Sequence, residues 1–100
     1  MNREKIKYSI LKEIEKGESI PKYEDYGISK EEFGEIVELI IEDELIKDGE
    51  VKRMGIGSKV GYVFLAKARL TSKGYQYLKE NSAWSKTYKG LKEVREWLPL

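Results

Sequence analysis

Cysteine and histidine are both absent from this chain, and proline occurs only twice. Without cysteine there can be no disulfide, no thiolate-bound zinc and no thiol nucleophile. Without histidine the usual general base near neutral pH is gone, and so is the commonest metal ligand. A Ser-His-Asp triad is excluded outright, and no constellation of carboxylates or lysines stands in for one. Long uncharged apolar runs are also missing, as is a secretory h-region. These absences lead us to expect a cytoplasmic, non-enzymatic protein with no cofactor, no metal and no membrane partner.

What is present is a chain of 100 residues with 40% hydrophobic and 37% charged residues. That suits one domain, 1–100, with a modest core. The net charge of +1 conceals a polarity between the halves. Residues 1–50 carry 8 Lys/Arg against 15 Asp/Glu, and residues 51–100 carry 11 against 3. Such asymmetry marks either an acidic-partner or nucleic-acid face, or two halves that neutralise each other on folding.

Periodicity and capping residues divide the chain. Asn2 caps a helix over about 2–16, with Ile6, Ile10, Leu11 and Ile14 as its stripe and Gly17 as its stop. Residues 23–27 hold one short helical turn. Ser29 and Glu32 read as a capping box, with Ile28 and Phe33 as its staple. They open a second helix over about 29–46, whose core residues are Phe33, Ile36, Val37, Ile40 and Ile41. A hairpin is expected over about 51–70, its second strand running from Val60 to Leu70. Thr71 caps a third helix over about 71–81, and a fourth is expected over about 84–98. Leu70 and Tyr75 are placed to staple the third helix at its start.

The words strand, then Leu70-Thr71-x-Lys73-Gly74-x-x-Tyr77-Leu78, resemble the exit from the wing of winged-helix domains. The expected fold is therefore α+β: a winged helix-turn-helix-like domain with a two-stranded β wing and a C-terminal helical extension. Residues Ile40 to Ile46 resemble the end of a recognition helix, with Glu44 standing where bacterial regulators of this type carry glycine. A second resemblance covers nearly the whole chain. The opening Ile6-Lys7-Tyr8-Ser9-Ile10-Leu11-Lys12-Glu13-Ile14 is similar to that of the YjcQ family of small bacterial and phage proteins. So is the tail, from Leu70-Thr71-Ser72-Lys73-Gly74-Tyr75 through Trp84-Ser85-Lys86 to Tyr88-Lys89. The resemblance implies a mixed helix-strand fold and a phage-associated setting, and it supplies no functional residues.

Two surfaces are candidates for binding. The hairpin carries Lys52, Arg53 and Lys59 near its tip and Lys67 and Arg69 at its base. These would suit phosphate contacts, or they protect exposed strand edges against unwanted pairing. The last helix presents Trp84, Tyr88, Leu91, Val94, Trp97 and Leu98, a stripe suited to its own core, to a protein partner or to a homodimer. Nucleic acid is disfavoured by the second helix. Its outer side carries Glu31, Gly34, Glu35, Glu38 and Glu42, and four carboxylates would oppose an anionic duplex. That side is expected to be a solvated acidic face. The glycines of Gly55-x-Gly57-x-x-x-Gly61 lie between two strands, which fits a hairpin turn and not a phosphate loop. Glu42-Asp43-Glu44 is a polar helix end, because consecutive helical residues diverge too far to cage a cation.

Overall fold

Each long helix begins at a side-chain cap. In the computed structural model, which describes residues 2–86, 88 and 90–94, Asn2 Oδ1 accepts from the Lys5 N–H at 3.2 Å and opens α1, Arg3–Lys16. Gly17 ends it in the left-handed region at φ 68°, where glycine pays no Cβ penalty. Ser29 Oγ accepts from the Glu32 N–H at 3.0 Å and opens α2, Lys30–Glu42. Thr71 Oγ1 accepts from the Gly74 N–H at 3.1 Å and opens α3, Ser72–Glu80. A short 3-10 turn, Tyr23–Tyr26, joins the first two helices.

The second helix stops four residues short of the expected 46. Glu44 takes a left-handed φ of 59°, and the N–H groups of Asp43 and Leu45 close the last turn onto Leu39 and Ile40. A non-glycine residue there costs about 1–2 kcal/mol. Bonds from α3 hold it in place: the Thr71 hydroxyl donates to the Glu44 carbonyl, and Lys73 lies 3.1 Å from its carboxylate. The chain released by this early stop forms β1, Ile46–Lys47.

The expected hairpin is really two antiparallel pairs. Strands β2, Glu50–Met54, and β3, Lys59–Phe64, form an arm in which Val51 faces Val63 and Lys52 faces Tyr62. The register slips between Lys52 and Arg53, leaving Gly61 as a bulge. Strand β4, Arg69–Leu70, pairs instead with β1 at the foot of the arm. A continuous strand over 60–70 fails for a simple reason. Leu65 and Leu70 are both buried, but a separation of five would put them on opposite faces. A turn, closed by the Ala68 N–H on the Leu65 carbonyl, lets both point inward.

Among the described residues, the first part of the expected fourth helix is replaced by 3-10 turns at Ser82–Lys86 and Leu91–Glu93, and its remainder past Val94 lies outside them. Gly90, at φ 99°, sits between them and cannot continue a right-handed helix. Trp97 and Leu98 lie outside the described residues. Among the described residues, the result is an α+β fold of three α-helices and two short antiparallel pairs. Its core is drawn from all three helices and closed by Val94. The Leu70–Tyr75 staple does not form as expected, since Tyr75 is 54% exposed. No helix among the described residues is long and apolar enough to cross a membrane.

Candidate interaction surface on the hairpin

The β2–β3 arm lies down on α2. Its inner face meets the helix at Gly34, which is buried; a Cβ there would sit 2.6 Å from Val60 Cγ2. Arg53 then locks the contact. Its guanidinium grips Glu38 with two bonds, Nε to Oε2 at 3.0 Å and Nη2 to Oε1 at 2.6 Å. Nη1 reaches Glu31 Oε2 at 3.0 Å and the Ser58 carbonyl at 2.7 Å. The other Glu31 oxygen accepts the Val60 N–H at 3.0 Å. A bidentate fork of this kind is among the stronger polar contacts a protein makes. That Val60 N–H, with Arg53 behind it, holds the Glu31 carboxyl below its usual range. The hydrogen bonds from Arg53 do the same for Glu38.

The outer side of α2 is therefore the seat of the hairpin, and its acidic residues, still in contact with solvent, are mostly paired and not free as expected from sequence. Glu31, Gly34 and Glu38 are engaged by β2 and β3, and Glu35 lies 3.1 Å from Arg3. Of the expected carboxylates, Glu42 stays exposed.

With its inner side fixed, the arm turns a fixed outer side to solvent. Tyr62, Phe64 and Met54 are each about half exposed there, and the Tyr62 and Phe64 rings stand 5.8 Å apart. Ile56 is fully exposed at the tip, between Gly55 and Gly57, both at positive φ. Ile20, on the segment between α1 and the first 3-10 turn, is also half exposed. Grouped apolar surface of this kind marks an interaction site more often than scattered exposed residues do.

A protein-family model, described as YjcQ protein, matches residues 8–97. The chain belongs to the YjcQ family. No curated protein and no solved structure matches it. The match takes in the hairpin arm and the segment after α3, so both belong to the YjcQ domain itself.

The cations singled out from sequence do not gather on one face of this YjcQ domain. Lys52 and Arg53 are neighbours on a strand and so point to opposite sides. Arg53 is committed to Glu31 and Glu38. Lys52 sits 4.0 Å from Glu50, and Arg69 pairs with Asp48 at 3.1 Å. Lys59 is exposed opposite Met54, and Lys67 lies in the turn before β4.

The described part of the aromatic stripe after α3, Trp84 to Val94, packs against the domain's own core. Trp84, Tyr88 and Leu91 are half buried against it, and Val94 is 1% exposed. The Tyr88 hydroxyl donates to Glu13 and accepts from Ser9 Oγ at 3.3 Å, while Ser9 also bonds Tyr26 at 2.9 Å. Glu13 and Ser9 are buried on α1, and Lys16 lies 3.7 Å from Glu13. Burial, reinforced by the Glu13 carboxylate, raises the Tyr88 pKa and keeps the phenol protonated. Sequence reasoning placed no polar residue in the core, because Ser9 and Glu13 are ordinary on a helix surface. Among the described residues no group of His, Cys, Asp or Glu could hold a metal ion. Asp43 and Glu44 face Lys7 and Lys73 instead.

Proposed function

We propose that this YjcQ protein is a non-enzymatic interaction module that presents the outer face of its hairpin to a protein partner. The observation that carries the reading is the exposed Met54, Tyr62 and Phe64 face on an arm whose other side is clamped by Arg53. A clamped arm offers its aromatic groups preorganised, so little ordering entropy is lost on binding. Burying one large apolar side chain stabilises a contact by about 1.5–3 kcal/mol. The order helix, short turn, helix, hairpin, helix supports reading the domain as a winged helix with its wing folded onto the second long helix. A cytoplasmic or phage-associated setting follows from the resemblance to small bacterial and phage proteins.

The second reading is phosphate contact through the wing. It is favoured by Lys52 and Lys59, exposed on either side of a glycine-bearing tip. Paired capture experiments separate the two. The Tyr62→Asp, Phe64→Asp variant should lose its protein partner, while Lys52→Ala, Lys59→Ala retains it. The opposite pattern, together with salt-sensitive binding of a labelled generic duplex, would overturn the interaction reading in favour of phosphate contact.

A further inference from the structure

Among the described residues, the arm has a strand edge that no other strand closes. Strand β3 is bonded to β2 on one side and has no strand neighbour on the other among the described residues. Across from that edge runs the segment Ile20-Pro21-Lys22, which is extended at Lys22, with φ −131° and ψ 157°. This segment lines the same groove as β3 but offers it few backbone groups. Pro21 has no N–H to give. The Lys22 N–H is already bonded to Asp25 Oδ2 at 2.8 Å, and the Lys22 carbonyl to the Asp25 N–H at 3.0 Å. The segment therefore forms a wall and not a ladder.

Between wall and edge lies an open groove of about 290 Å³, lined by Ile20, Pro21, Tyr23, Phe33, Tyr62 and Val63. That volume sits at the low end for small-molecule sites. It suits side chains of a polypeptide better than a cofactor. The Gly61 carbonyl at the start of the edge is taken by Lys30 Nζ at 3.3 Å. Residues 62–64 follow it along the same strand. The charged residues lining the groove are Lys22 and Lys30 against Glu24, a positive balance.

We infer that this groove takes an extended partner peptide, apolar at alternate positions and acidic at its flanks, which adds a strand to the free edge of β3. Main-chain hydrogen bonds to residues 62–64 supply the affinity in such an arrangement, and pockets for alternate side chains supply the choice of sequence. Ile20, Pro21 and Tyr23 take the inward side chains, and Lys22 and Lys30 meet the acidic ends. The inference rests on the interaction reading and adds to it the partner's conformation and chemistry.

The test uses the full chain and a random linear peptide library displayed on phage. Enriched peptides should alternate apolar and polar residues and carry Asp or Glu at their flanks. On the isotope-labelled chain they should slow exchange of those amides among residues 62–64 that point away from β2. Blocking one central peptide amide by N-methylation should weaken binding about tenfold, the loss of one bridging hydrogen bond. Ile20→Asp, at a half-exposed position that leaves the fold intact by its amide spectrum, should abolish binding. Phe64 does not line the groove, so Phe64→Asp should weaken it far less. Peptides that respond to Phe64→Asp but not to Ile20→Asp or N-methylation would overturn the groove and leave the hairpin-face reading standing. Absence of enrichment over an irrelevant domain would overturn the groove as well. So would exchange protection at residues 62–64 that grows with protein concentration alone, because the occupant would then be a second copy.

Discussion

Gly74→Ala should destabilise the fold, although the same change in an exposed helix stabilises it. Gly74 is buried in the first turn of α3. Alanine there gains about 1 kcal/mol of helix propensity. Its Cβ, however, would lie 2.2 Å from the Leu45 carbonyl oxygen and 3.3 Å from Leu70 Cβ. A carbonyl cannot rotate aside as a flexible side chain can. This one also accepts the Thr71 N–H at 3.0 Å. Relief requires lifting the start of α3 from the turn after α2, which strains that bond and the neighbouring bond from Thr71 to Glu44. Overpacking costs about 1–3 kcal/mol and each strained bond about 1 kcal/mol. Set against the propensity gain, the net loss is about 2–4 kcal/mol. For a domain of this size each kcal/mol lowers Tm by about 4–8 °C. Urea denaturation and calorimetry of Gly74→Ala, with exposed Gln76→Ala as the control, measure it directly. A Gly74→Ala chain as stable as wild type would refute the close approach of α3 to Leu45.

Two further perturbations test the polar clamps. Glu31 and Glu38 have carboxyl pKa values held below the ordinary 4.5, by the Val60 N–H and by Arg53 respectively. Their stabilising contribution is therefore complete above that value and is lost as pH falls through the lowered one. Arg53→Ala should be less stable than wild type at about pH 7, and the difference should shrink as pH falls below 4.5. Parallel stability curves across that range would show that the clamp contributes nothing. Tyr88→Phe keeps the ring but removes the donor to buried Glu13. It should cost about 1–3 kcal/mol in urea denaturation. An unchanged midpoint would mean that Lys16 alone satisfies the carboxylate.

Helix starts were readable because a cap acts within a few residues of itself. Asn2, Ser29 and Thr71 each find the N–H that their position implies. The end of α2 was misread because the apolar run through Leu45 and Ile46 continues the helical pattern. What ends it is a pairing of Ile46 with Leu70, which no local window contains. Gly90 did carry a local signal against a long last helix, and aromatic spacing outweighed it. The docking of the hairpin was the least legible feature. Glu31, Glu38 and Arg53 each look like solvated charges, and only the fold brings them together. Gly34, alone among carboxylates on that face, was the local sign that something packs closely there. The alternation of Tyr62 and Phe64 was visible too. Which side of the strand meets water depends on Val60 seating against Gly34.

The bond between Tyr88 and Glu13 joins residues 75 apart in the chain. At a synthesis rate of about 5–20 residues per second, roughly 4–15 s separate their appearance at the ribosome. Through that interval α1 exists without the residues that cover its polar flank. Until then neither Glu13 nor Ser9 has Tyr88 as a partner. The polar flank of the first helix is thus completed by a segment synthesised much later.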